Sequence, residues 1–186
     1  MSSDVHSRRL PPGVLYEAEE GKVEAIARPP SGYVFLCSYG TERECFERRL
    51  FAMPMSAWNW VSQVRKGDIL FLLNYETNRL HGVFEATTDG TLNLEPYAFN
   101  GRFPAQVRVR RKMRCPSLDE STLLPLINRE WIKVSRRGVL LFPPRLGPRF
   151  IDELWRLFLE VPVAPRTKAG LVGYKAKDGH ITKSYG

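Results

Sequence analysis

The stretch from Phe103 to Cys115 constrains this chain more than any other. Its even positions are Gln106, Arg108, Arg110, Lys112 and Arg114, and its odd positions are Val107, Val109, Arg111, Met113 and Cys115. Successive side chains of a strand point to opposite faces. The pattern therefore predicts a strand with one basic face and one face that is apolar apart from Arg111. Such a strand cannot stand alone; it needs a sheet whose other members bury the apolar side.

The rest of the chain supplies those members. Tyr33 to Cys37 is a β-branched and aromatic run that reads as a buried strand, as does Ile69 to Leu73 after Gly67-Asp68. Tyr75 to Asn78 turns the chain and Leu80 to Thr87 returns as a hairpin, with Asp89-Gly90 marking the next turn. Thr41 and Glu44 have capping-box spacing, which predicts a helix carrying Phe46 and Leu50 four residues apart and ending at Pro54. Ser117 and Glu120 repeat that spacing before a short helix interrupted at Pro125. Trp131 to Val134 and Gly138 to Phe142 read as short strands. Pro148 opens a last helix with Ile151, Leu154, Trp155 and Phe158 on one face. Strands mixed with peripheral helices predict an α+β domain over residues 31–160. Residues 1–30 read as an N-terminal extension and 161–186 as a basic, flexible tail.

Composition removes several classes of function. The chain has 186 residues, 43% of them hydrophobic and 26% charged, enough for a self-sufficient core. No apolar run approaches the roughly 20 residues of a membrane span, and the first residues lack the apolar centre of a signal peptide. Three cysteines without CxxC spacing and three dispersed histidines predict no disulfide framework and no zinc. The expectation is an intracellular, cytoplasmic protein without metal or cofactor.

Charge is distributed unevenly. Residues 1–100 carry 10 basic and 13 acidic side chains, whereas residues 101–186 carry 18 basic and 7 acidic, within a formal net charge of +8. That asymmetry points to a polyanionic partner or to a solvated basic face. On the strand itself, residues two apart are spaced by roughly 6.6 Å, close to the phosphate spacing of an extended single strand. Arg108, Arg110, Lys112 and Arg114 can thus follow a nucleic-acid backbone, with Arg102, Arg136 and Arg137 as neighbouring candidates. A charged edge strand protected against pairing gives the same pattern.

Catalytic arrangements are not evident. Cys37 and His81 could form a thiolate dyad, but Cys37 lies in a buried strand pattern where a thiol is structural. Glu85 and Asp68 stand as isolated acids, and no Walker loop, GxGxxG, HExxH or GxSxG occurs. Trp58 and Trp60 read either as core residues or as platforms on which a base stacks. Asn74 reads either as the start of a turn or as a partner for a base edge.

Several short motifs occur in a fixed order: Phe51-Ala52-Met53-Pro54, Leu70-Phe71-Leu72, Leu80-His81-Gly82-Val83-Phe84-Glu85-Ala86 and Pro104-Ala105-Gln106-Val107. In that order they resemble the DCD (development and cell death) domain family, with alanine for glycine in the first and asparagine for glutamate in Pro125-Leu126-Ile127-Asn128. The resemblance covers about two-thirds of the chain, Gly32 to Phe158. It implies a PUA-like mixed β-barrel or curved sheet with peripheral helices, a fold class shared with YTH and EVE domains. By that relationship, Ser38, Tyr39, Phe51, Trp58, Trp60 and Asn74 are the positions that would line a pocket for a base or a modified base. The expected activity is non-enzymatic binding of RNA or single-stranded DNA. The alternative is a protein-interaction module whose basic face meets an acidic partner.

Overall fold

The computed structural model describes residues 30–162, so the readings of an N-terminal extension and a C-terminal tail fall outside the described residues. Strands β1 (Gly32–Cys37), β2 (Leu50–Met53), β3 (Ile69–Asn74), β4 (Arg79–Ala86), β5 (Thr91–Leu92), β6 (Ala105–Arg111) and β9 (Arg145–Leu146) form one sheet. Its order is β2-β6-β4-β3-β1-β9, with β5 also on β6, while β7 (Lys133–Val134) and β8 (Leu140–Leu141) make a separate hairpin. Helices α1 (Tyr39–Arg48), α2 (Trp58–Val61), α3 (Glu120–Asn128) and α4 (Pro148–Glu160) lie around it. This is the α+β arrangement that the sequence pattern predicts, with the curved sheet that the family resemblance implies, and the sheet stays unclosed. The end strand β2 approaches β1, the strand before β9, where the Leu36 N–H meets Met53 Sδ at 3.5 Å.

The period-2 patterns explain the two cores. Tyr33, Phe35 and Cys37 of β1 join Leu70, Leu72, Phe84, Val107, Val109 and Phe51 on the inner face. Val34, Phe71, Leu73, Leu80 and Val83 face the other way, onto Leu123 and Leu126 of α3 and Ile151, Leu154 and Phe158 of α4. All six residues of β3 are buried, because it is covered on both faces and paired on both edges, parallel to β1 and antiparallel to β4. Asp68, isolated in sequence, is buried at the entry to β3. Its carboxylate accepts the Ser31 N–H at 2.9 Å and the Arg65 N–H at 2.8 Å, fixing the start of β1 to the turn before β3.

Four local expectations need correction. The first helix is capped one turn earlier than the Thr41–Glu44 spacing suggests: Ser38 is the N-cap and its N–H donates to Thr41 Oγ1 at 3.0 Å. It also ends at Arg48 rather than continuing to Pro54, because Leu50–Met53, buried throughout, pair with Arg108–Ala105 of β6. A long-range ladder overrides a short helical pattern here. The second capping box is displaced as well. Asp119 caps α3, with Oδ1 accepting from Thr122 N–H, and the Ser121 and Thr122 contacts pull its carboxyl down to about 2. The helix passes through Pro125 without breaking. The carbonyl that loses its partner belongs to Ser121, an exposed residue.

No helix among the described residues is long and apolar enough to cross a membrane.

Candidate nucleic-acid interface

Strand β6 occupies the predicted segment but ends at Arg111; beyond it the Lys112 and Met113 N–H groups both bond to the Val83 carbonyl, at 2.8 and 3.2 Å. Its alternation is as expected, with Ala105, Val107 and Val109 buried and Arg110 exposed. The face is less purely basic than the sequence implies, because neighbouring segments bring carboxylates to it. Glu85 lies opposite Arg110 across the ladder, accepting from Arg110 at 2.8 Å and also binding Lys112. Glu95 receives Arg108 at 2.7 Å and Arg48 at 2.8 Å. Gln106 is buried and spends its amide on the backbone of Glu95 and Phe103. Arg102 lies over the Phe103 ring at 5.2 Å.

Arg111 and Arg114 are exposed and have no ion pair among the described residues. Arg136 and Arg137 are exposed too, but on the β7–β8 turn. That hairpin is tied to Asn78, which donates to the Gly138 carbonyl at 2.7 Å and accepts from Leu140 N–H at 3.1 Å. Asn78 precedes β4, whereas Glu85 and Arg110 meet near its far end, roughly 20 Å along the strand.

The six positions named for a base pocket are distributed along β1. Trp60 stacks on Tyr33 (centroids 6.2 Å, planes at 12°) and meets Phe35 edge-on at 5.1 Å, and Trp58 is half-buried beside it. Phe51 is wholly buried. Ser38 caps α1, and Tyr39 is 80% exposed with its N–H bonded to Glu76. Asn74 pairs with Cys37 at the other end of β1, about 13 Å from Tyr33. It is buried, with Oδ1 accepting the Glu76 and Thr77 N–H groups and Nδ2 donating to Glu42. Its side chain is thus the organiser of the β3–β4 turn.

A different group of residues encloses a cleft of about 390 Å³ between the end of α1 and the end of β6. Its rings are Phe46, Phe51 and Phe84, its cations Arg49, Arg110 and Arg111, and its floor Cys45 and Val109. Phe84 is opposite Arg111 in the ladder, stacks on Phe46 at 6.1 Å, meets Phe51 edge-on at 5.0 Å, and carries the Arg111 guanidinium 5.7 Å from its centroid. Sequence reasoning named only Phe51 and Arg110 of this set. The available signal was Arg111, the single charge in an otherwise apolar alternation.

Burial, aided by Glu44 and Glu42, pushes the Cys45 thiol up to about 12, and burial pushes Cys37 higher still. Burial thus disfavours the thiolate form of both at neutral pH, the behaviour of structural thiols. His81 Nε2 lies 3.4 Å from Glu42 Oε2, near enough for attraction but not aligned as a hydrogen bond. Burial lowers the His81 pKa from 6.5, outweighing the opposing pull of Glu42. Desolvation tends to raise Glu85 and Glu95, but hydrogen bonds from Lys112 and Arg110, and from Arg108 and Arg48, hold both below 4.5.

These shifts fix the sign of a pH response. Just below pH 6.5 the unfolded chain protonates His81 before the folded one does, so stability falls as pH drops through that window. Below 4.5 the two glutamates protonate first in the unfolded chain, so a second loss begins there and continues to their lower folded values. Thermal unfolding from pH 7.5 to 3.5 should show both declines, and His81→Gln should remove the upper one. A melting temperature that stays flat from pH 7 to 5 in the unaltered protein would contradict this assignment.

A model of the development and cell death domain matches residues 31–158. The chain belongs to the DCD family. Among curated relatives, the DCD region is similar to the B2 protein of Daucus carota, 39% identical over 104 residues (52% of this chain and 50% of that one). It is also similar to the DCD domain-containing protein NRP of Arabidopsis thaliana, 38% identical over 114 residues (56% and 33%). The similarity to NRP-B of Glycine max is 38% over 104 residues, 52% of this chain and 32% of that one. The matched regions span half or less of these relatives. Among solved structures, the DCD fold is similar to the YTH domain of Pho92 in complex with m6A (TM-score 0.52, 14% identity, 73% of this chain and 87% of that one). A second is the YTH domain-containing protein mmi1 in complex with RNA (TM-score 0.51, 12% identity, 69% and 81%). At that identity the likeness is one of fold.

Proposed function

We propose that this DCD domain is a non-enzymatic binding module for single-stranded nucleic acid, RNA in the first place. The observation that carries the reading is the end of β6. Arg110, Arg111, Lys112 and Arg114 are all exposed, and among the described residues Glu85 is the one carboxylate that pairs with any of them. Four cations against one acid leave a cationic rim that phosphates can occupy, with guanidinium forks suited to bidentate contact. The fold supports the reading by analogy, since structures of similar fold are described as complexes with RNA, and one as a complex with m6A. Arg136 and Arg137, on the distant hairpin, take no part in this rim.

Fluorescence anisotropy with labelled single-stranded RNA, single-stranded DNA and duplex tests the proposal. Four phosphate contacts give a log–log salt slope near −2.8, a loss of about 50-fold in affinity between 50 and 200 mM salt. Replacing the four cations by glutamine should flatten that slope and weaken binding by a similar factor. Because this also strips Glu85 of its partners, the Arg111→Gln/Arg114→Gln pair, which leaves that carboxylate engaged, should halve the slope while the melting temperature stays near its original value. Absence of single-strand binding at 50 mM salt would overturn the proposal and favour the acidic protein partner as the occupant of this rim.

A further inference from the structure

We infer that the cleft between α1 and β6 is a site for one nucleoside monophosphate, its base against Phe46 and its phosphate between Arg49 and Arg111. This deepens the nucleic-acid reading and rests on it where the nucleotide is part of a strand; for a free nucleotide it stands independently. The site also differs from the positions around Ser38, Tyr39 and Asn74 that the family resemblance implies.

The volume of about 390 Å³ falls within the range of small-ligand clefts. Its walls divide the chemistry. Phe51 and Phe84 are buried and form the back, whereas Phe46 is half-buried and leaves part of its ring open to a planar guest. Stacking on such a ring tolerates any base. Arg110 is held by Glu85, but Arg49 and Arg111 have no ion pair among the described residues, and a cation lining a cleft without a partner suits an anion.

Arg49 provides an independent observation. It is the C-cap of α1 and sits in the left-handed region at φ 52 and ψ 43, where glycine is favoured and a long side chain is strained. Its backbone is fixed on both sides, with N–H bonded to the Phe46 carbonyl at 3.2 Å and its carbonyl accepting the Val109 N–H at 2.9 Å. Those bonds would survive with glycine, so the backbone does not call for arginine here, and what the residue adds is a side chain on the lining of the cleft.

Arg49→Gly should leave the unfolding midpoint unchanged or raise it, while weakening nucleotide binding at least tenfold; Arg111→Gln should weaken binding similarly. The probes are AMP, inorganic phosphate, phosphotyrosine and an adenosine hexanucleotide, followed by titration calorimetry and by amide chemical shifts of Cys45–Leu50, Phe84 and Val109–Arg111. The inference expects AMP to shift those amides and to bind more tightly than phosphate or phosphotyrosine. Phosphate or phosphotyrosine binding as tightly as AMP, or both variants retaining full affinity for AMP and the hexanucleotide, would overturn it. Hexanucleotide binding that survives both variants would leave the single-strand reading standing without the cleft. AMP binding without hexanucleotide binding would keep the cleft and remove the single-strand reading. Binding of neither would remove both.

Discussion

Replacing Gly90 with alanine is expected to destabilise the domain by about 3–5 kcal/mol, one of the largest effects open to a single methyl group here. A Cβ at this position would lie 1.9 Å from the Val61 carbonyl oxygen and 2.7 Å from its carbon. Both are backbone atoms, so no rotamer change relieves the overlap. Movement of the turn is resisted from two sides: the Gly90 N–H bonds to the Val64 carbonyl at 3.0 Å, and Asp89 Oδ1 accepts the Lys66 N–H at 2.9 Å. Gly40 provides the control. It lies in α1 with its nearest neighbour, Ser38 Oγ, 3.9 Å from a would-be Cβ, so alanine there should stabilise by about 0.5–1 kcal/mol. Urea unfolding of the two variants should move in opposite directions. A Gly90→Ala midpoint within error of the original would mean that the turn does not press on α2 as described.

The second large effect is expected at Phe158. Its ring is 1% exposed and lies parallel to Phe71 at 5.9 Å, near the end of α4. It also fills the space over Gly82, where a Cβ would come within 2.6 Å of two ring atoms. Phe158→Ala removes a packed ring from between α4 and the sheet and should cost about 3–5 kcal/mol, against roughly 1 kcal/mol for Phe158→Leu, which refills most of the volume. The exposed neighbour Leu159 should tolerate alanine with less than about 0.5 kcal/mol of change. Equal losses at 158 and 159 would show that α4 is not docked by this face.

Much of the sheet was legible because strand periodicity is local. Tyr33–Cys37, Ile69–Leu73 and the alternation of 103–115 each declare themselves within a few residues. β2 was not, since Leu50–Met53 is a four-residue apolar run that helix and strand patterns share, and its partner Ala105–Arg108 lies far along the chain. The site shows the same division. The cations of β6 were visible, but their acids were not: Glu85 and Glu95 arrive from other segments and become partners only through the ladder and the loop. The cleft was less legible still, because Phe46, Phe84 and Arg111 are brought together by tertiary structure alone. Asn74 illustrates a residue whose chemistry could be read but whose engagement could not, its amide being taken up by Glu42 and the following turn.

The parallel pairing of β1 has a consequence for the order in which the chain can complete itself. β1 meets β3 after fewer than 40 residues, but its other neighbour, β9, pairs Arg145 with Tyr33 and Leu146 with Gly32. At typical synthesis rates the ribosome needs on the order of 5–20 s to travel that far. During that interval β1 presents an unpaired edge, and the Phe71–Leu73 side of β3 waits for α3 and α4. Nascent chains stalled before residue 145 should therefore be the ones that recruit chaperones or self-associate, and release past Phe158 should end that exposure.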